Sequence, residues 1–185
     1  RRSEWAVGTP YAADFVFWKA CARYEQGQYA DALQLVGGFR SRFPESDLRP
    51  PVARLRTKCY LKLKQYDLAM ELFSRIEDAY PDALETPLCM LDWAGTMIDQ
   101  GQGEDARKVL IRLVEKYPKS EAAVVGRMWL ARIYMDREEW PRAQGLLQDV
   151  TAMKDIPAGD HYSAWLALAE LQEKQTNLTE AVSAL

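Results

Sequence analysis

The sequence predicts an all-α fold built from a repeated pair of helices, and three observations predict it. Alanines at positions 32, 69, 106 and 143 stand 37 residues apart, and Ala181 follows after 38. Within each interval apolar residues recur at three- and four-residue spacing, as in Leu33, Val36 and Phe39 or Leu68, Leu72 and Ile76, without strand-like alternation. The same interval carries chain-stopping chemistry: Pro44, Pro81 and Pro118 each follow an aromatic residue, Phe43, Tyr80 and Tyr117. A fixed period of this size is the mark of stacked supersecondary repeats, each burying what it cannot bury alone.

The elements follow in order. Repeat one (10–46) opens with the capping pair Thr9-Pro10 and runs as "PYAADFVFWKACARY", the turn "EQGQ" and "YADALQLVGGFRSRF". Repeat two covers 47–83. Repeat three (84–120) opens near Thr86-Pro87, another hydroxyl before a first-turn proline. Repeat four (121–157) has Ser120 as its cap ahead of "EAAVVGRMWLARIYM", and repeat five (158–185) is truncated. Gly27 and Gly101 mark helix ends, since glycine can take positive φ there. A second small position recurs upstream as Ala20, Thr57, Ala94, Ala131 and Ala169. Small residues in both helices point to close antiparallel crossings, where a larger side chain would hold the backbones apart. The aromatic three places before the period alanine (Tyr29, Tyr66, Trp140, with Gly103 and Leu178 as exceptions) fills the space near the turn. Residues 1–9 are expected to form a cap or extension, with Trp5 covering the open end of repeat one. The start "RRSEW" lacks a Met and an apolar signal core, and Leu185 falls midway along the expected second helix of repeat five. A fragment or processed chain continuing past Leu185 is therefore expected.

The pattern resembles the tetratricopeptide repeat (TPR). The resemblance rests on Ala20, Gly27, Tyr29, Ala32 and Pro44, then Tyr60, Tyr66, Ala69, Phe73 and Pro81. It continues through Ala94, Gly101, Ala106 and Pro118, then Ala131, Tyr134, Trp140 and Ala143. It departs from the family in its period of 37, in Thr57 at a small position, in Gly103 at an aromatic one, and in Asp155 where a proline is due. It implies a right-handed superhelical array of about five antiparallel pairs and a non-catalytic protein–protein interaction role. The endings "FPESD", "YPDAL" and "YPKSE" resemble a bacterial subtype that includes the outer-membrane assembly lipoprotein and the Tol–Pal-associated periplasmic protein. They tilt the expected location toward the bacterial periplasm or envelope over the cytoplasm.

Composition narrows the partner class. The formal net charge of −3 over 185 residues supplies no dominant positive field for nucleic acid. No run of 18 apolar residues occurs to span a bilayer. Cys21, Cys59 and Cys89 are odd in number and form no C-x-x-C pair, so they read as small buried residues rather than a disulfide or zinc framework.

In the family's inward register the first helices contribute Phe17, Cys21 and Tyr24 from repeat one. Repeat two gives Arg54, Lys58 and Lys62, repeat three Leu91, Gly95 and Ile98, and repeat four Met128, Arg132 and Met135. Arg54, Lys58 and Lys62 lie four apart on one helical face, and residues 40–64 hold eight basic and two acidic side chains. The functional reading is a cationic strip beside an apolar wall, suited to an acidic and partly apolar peptide or protein. The plainer reading is a solvated face balanced by neighbours such as Glu25 and Asp99. Met128 and Met135 read either as adaptable contacts or as filling between repeats. The Lys, Arg and Asn clamp of chaperone-docking relatives is not matched, since no asparagine stands at the corresponding sites. The alternative role is structural: self-association as a homo-oligomer, or packing within a larger envelope-associated protein.

Signs of catalysis are weak. "GQGEDA" matches the dinucleotide fingerprint G-x-G-x-x-A, but a helix rather than a strand is expected before it, and the period already accounts for Gly101 and Ala106. His161 is the only histidine and belongs to a different repeat from every cysteine, so no nucleophile–base pair is expected. Glu104-Asp105 and Glu138-Glu139 fall at helix starts, where the dipole favours them. No enzyme activity, cofactor or metal site is expected.

Overall fold

The computed structural model describes the backbone of residues 11–183 and the side chains of residues 11–176. The expected cap at residues 1–9, with Trp5 and the Thr9-Pro10 pair, lies outside the described residues, as do the side chains of Leu178 and Ala181. Among the described residues the structure is helical and contains no strand: α1 Ala12–Glu25, α2 Tyr29–Val36, α3 Phe39–Arg42, α4 Arg49–Lys62, α5 Tyr66–Ala79, α6 Glu85–Asp99, α7 Gly103–Lys116, α8 Glu121–Asp136, α9 Trp140–Ala152 and α10 Ala158–Ser183. The chain falls into two compact units, residues 1–89 and 90–185, divided within α6.

Both units obey the small-residue register. Ala32, Ala69, Ala106 and Ala143 are all at 0% exposure, as are Ala20, Ala94 and Ala131. Thr57 fills the corresponding place in α4 at 1% exposure and returns its hydroxyl proton to the Ala53 carbonyl at 3.2 Å, which removes the cost of burying it. The turn between paired helices uses one conformation throughout. Gly27 (φ 75), Lys64 (φ 58), Gly101 (φ 74) and Glu138 (φ 61) are all left-handed and all 37 apart. At Gly27 the two following bonds close the turn, Gly27 N–H to Tyr24 carbonyl and Gln28 N–H to Arg23 carbonyl, both at 2.9 Å. The residues before the three period prolines leave the helical region as steric clash with the proline ring requires: Phe43, Tyr80 and Tyr117 have ψ of 65, 53 and 51°.

In the first unit α1 pairs with α2 and α4 with α5, and α2 also packs on α4. Ala20, Val36, Phe39, Val52, Leu55 and Cys59 form its buried centre with Ala32. The second helix of repeat one differs from expectation, since it breaks into α2 and α3 at Gly37-Gly38. Gly38 takes φ 66, which only glycine adopts freely, and this turn carries Phe39 into the core at 2% exposure. Arg42 stabilises the break by donating to the Leu35 and Gly37 carbonyls at 2.8 and 3.0 Å, which would otherwise end a helix unpaired.

In the second unit α7, α8, α9 and α10 pack in succession, and α10 also meets α8. Gly126 lets α8 approach α7: a Cβ there would lie 3.0 Å from Leu113 Cδ2. Gly95 does the same for α6 against the Trp129 ring, also at 3.0 Å. Ser120 caps α8 as expected, accepting from Ala123 N–H at 3.1 Å. At the end of the first unit, Thr86 does not act as a cap. It sits inside the first turn of α6 at 0% exposure and donates its hydroxyl proton back to the Tyr80 carbonyl. Arg127 is 7% exposed and donates to Ala123 and Pro118 carbonyls at 3.3 and 3.1 Å, tying the α7–α8 turn to the helix that follows it. Burial lowers its guanidinium pKa.

Repeat five departs from the period. α10 runs unbroken from Ala158 to Ser183 where a hairpin was expected. Residues 170–183 contain neither glycine nor proline to stop it. Ala169 is exposed, so the small-residue register ends with Ala131. Ala164, Leu168 and Leu171 supply the buried face of α10 instead.

Candidate partner-binding face

In the first unit the inward register places its residues together. Phe17, Cys21 and Tyr24 succeed one another by three or four residues along α1, which keeps them on one side of that helix. All three are half-buried and pack against the edge of the core. Lys58 of α4 sets its ammonium 4.6 Å from the centroid of the Tyr24 ring, a cation–π contact joining the two helices. Tyr24 in turn tilts against Tyr29 at 5.2 Å, which fixes the ring from the other side. Phe17 meets Trp18 at 5.1 Å, and Trp18 is 65% exposed. Arg54 and Lys62 flank Lys58 one turn either way on α4, half-buried and exposed respectively.

Electrostatics sort the cysteines. Burial raises the Cys21 thiol pKa, with Lys58 pulling the other way and Glu25 adding to the rise. Burial pushes Cys59 up to about 11. Both thiols therefore stay protonated at neutral pH and serve as small apolar groups, the first at the edge of the face and the second under it. Cys89 is also buried and unbridged.

The second unit is less open. Met135 is 2% exposed, so it is core and offers no surface to a partner. The reason is that α7, α9 and α10 all pack on α8. Met128 is half-buried and packs against Val124, Val150 and Ala164, which is the filling role. Arg132 is paired with Glu170 of α10 at 2.8 Å, with both side chains largely exposed. Leu91 is half-buried and Ile98 is 38% exposed; they stand two turns apart on α6. Glu104, Arg137, Glu139 and Arg142 form a surface ion-pair chain at the α8–α9 turn. A hydrogen bond from Arg137 holds the Glu139 carboxyl below its usual pKa.

One basic surface escaped the inward register. Arg49 and Arg56 lie on the opposite side of α4 from Arg54, Lys58 and Lys62. With 100° per residue the mean directions of the two sets are about 170° apart. The sequence carries this signal on a helical wheel, where α4 has basic residues on both sides and four-residue spacing picks out only one of them.

The enzyme-like motifs resolve into structure. Gly101 sits in the α6–α7 turn and Gly103 opens α7, so "GQGEDA" follows a helix and not a strand. His161 lies in the first turn of α10. Among the described residues no group of three or more His, Cys, Asp or Glu side chains is placed to hold a metal ion. Among them, too, no helix is long and apolar enough to cross a membrane.

Comparison with known proteins agrees with the geometry. Family models described as the tetratricopeptide repeat match residues 23–86, 89–120 and 130–185. A thermophilic TPR protein of Thermus thermophilus is similar in structure at 22% identity, over 93% of this chain and 87% of that one, with a TM-score of 0.55. The nearly identical TPR-like repeats of a putative kinesin light chain from Podosopora anserina align at 17% identity over 95% and 96%, with a TM-score of 0.59. MamA from Desulfovibrio magneticus RS-1 aligns at 13% over 89% and 96%, with a TM-score of 0.55. At these identities the likeness is one of fold alone. No curated protein sequence matches the chain. The matches concern the repeat as such and lend no support to the envelope-assembly subtype suggested by the three short endings.

Proposed function

The chain belongs to the tetratricopeptide-repeat family, and from that premise we propose that it is a non-catalytic interaction scaffold whose α1–α4 face holds an acidic, partly apolar segment of a protein partner. Repeats of this family generally mediate protein–protein interaction. The observation that carries the finer reading is the Lys58–Tyr24 contact at 4.6 Å. It puts a cation against an aromatic ring on a face that Phe17 and Cys21 continue as apolar surface and Arg54 and Lys62 continue as charge. An ammonium already seated on a ring is oriented before any partner arrives, so less side-chain entropy is lost on binding. A carboxylate of the partner meets Arg54, Lys58 or Lys62, and an adjoining apolar side chain covers Phe17 and Tyr24.

The second unit contributes less under this reading. Met135 is withdrawn, Met128 is committed to packing, and Arg132 must give up Glu170 before it can bind another carboxylate. The test is charge reversal at Arg54 and Lys58 together, read by affinity against an array of acidic peptides at two ionic strengths. Loss of about tenfold or more for the best binders, with a weaker salt dependence, is the expected result. Unchanged affinity and salt dependence would remove the face assignment.

A further inference from the structure

The far side of α4 carries a second basic site that the inward face does not explain. A cavity of about 200 Å³ opens there between α3, α4 and α5. Its floor is the apolar core itself: Phe39, Val52 and Ile76 are 2, 4 and 1% exposed, and Leu72 joins them. Its rim is four arginines, Arg40, Arg49, Arg56 and Arg75, and no carboxylate lines it. Arg75 is shared with Glu71 on its own helix, while among the described residues none of Arg40, Arg49 and Arg56 is ion-paired. Three unneutralised guanidiniums around a low-dielectric floor focus a positive potential on one spot.

The local backbone decides what kind of anion fits. The first turn of a helix often cradles phosphate with free N–H groups. Here Pro50 and Pro51 have none, and the N–H groups of Arg49 and Val52 are already bonded to Ser46 and Leu48 carbonyls at 3.3 and 2.9 Å. Recognition must come from side chains, whose planar forks suit carboxylates held two-pronged. The volume is below the range of about 300–1,000 Å³ usual for small-molecule pockets and suits a single large apolar side chain. Arg49 and Arg56 stand two turns apart, about 10.5 Å along the axis. Residues three apart on an extended polyproline II segment share one side and stand about 9 Å apart.

We infer that this cavity is a docking site for an extended acidic peptide segment of a partner protein, one large apolar side chain entering the floor and carboxylates on either side gripped by Arg49 and Arg56. Arg40 and Arg75 extend the same field at the rim. This site stands independently of the α1–α4 face.

The test uses a fluorescein-labelled peptide, acetyl-Ser-Glu-Phe-Ser-Glu-Ser-amide, and fluorescence anisotropy with the full chain. Arg49→Glu with Arg56→Glu is expected to weaken binding at least about tenfold, while Lys119→Glu with Lys154→Glu, an equal charge change at exposed sites elsewhere, changes it less than about threefold. Ala53→Leu, which fills the floor without touching charge, is expected to weaken it similarly, as is replacing the peptide's Phe by Ala. Circular dichroism confirms that each variant is folded, and the peptide Phe replacement needs no protein variant at all. Equal losses in the two charge-reversed pairs, indifference to the peptide's Phe, full displacement by inorganic phosphate alone, or greater sensitivity to Lys58→Glu than to the Arg49 and Arg56 changes would each overturn the inference.

Discussion

At the scale of single residues the turn position separates two kinds of information. Gly27 and Gly101 announce a left-handed residue because glycine is the cheapest occupant of that conformation. Lys64 and Glu138 hold the same conformation at φ 58 and 61° and announce nothing, since neither residue type favours it. Their backbones are forced there by the packing of the helices on either side. An L-residue in this region costs about 1–2 kcal/mol, of which glycine's extra unfolded-state entropy returns about 0.5–1. Lys64→Gly is therefore expected to stabilise the chain by about 0.5 kcal/mol, while Gly101→Ala costs about 1 kcal/mol. Urea midpoints measure both, and a loss of stability on Lys64→Gly would show that the lysine side chain contributes more than its backbone strain removes. Residues of the proposed binding face divide in the same way. Lys58 and Tyr24 could be paired from their register, whereas the burial of Met135 could not, because it depends on how many neighbours surround α8.

At the scale of elements the crossings are set by what is missing from the side chain. Gly126 lies where α8 meets α7, and Leu113 Cδ2 would stand 3.0 Å from an added Cβ. Gly145 lies in the middle of α9 with nothing within 4 Å of such a Cβ. Alanine is the better helix former by about 1 kcal/mol in both places. Gly145→Ala is accordingly expected to raise stability by about 0.5–1 kcal/mol, and Gly126→Ala to lower it by about 1 as Leu113 is displaced from a filled core. Equal effects at the two sites, in thermal or urea unfolding, would mean that α7 and α8 are not in close approach. Element boundaries were legible where chemistry stops a helix: before the three period prolines and at Ser120. They were not legible at Gly37-Gly38, where the expected helix splits into α2 and α3, nor at α10, where the expected turn does not form. In the first case two glycines were absorbed into a run of otherwise helical pattern. In the second, periodicity argued for a turn that the local sequence does nothing to make.

At the scale of the molecule one register runs through both compact units. Period alanines from position 32 to position 143 are without exposed surface, and the left-handed turns keep step with them from Gly27 to Glu138. That regularity is why the fold could be read from the sequence while the proposed binding surfaces were legible only in part. Repetition specifies the contacts every repeat shares, and function resides in the residues that differ between repeats. The basic residues of α4 are of the second kind, and only the folded chain divides them between the α1–α4 face and the arginine-rimmed cavity. The central claim, that paired helices cross at the period alanines, is tested most directly within α2. Ala30 is exposed and Ala32 is fully buried on the same helix. Alanine and leucine differ little in helix propensity, so the two substitutions isolate packing. By urea unfolding Ala32→Leu is predicted to cost about 2–3 kcal/mol, and Ala30→Leu to stay within about 0.5 kcal/mol of the parent chain. Comparable costs at the two positions, or a tolerated leucine at 32, would contradict the account.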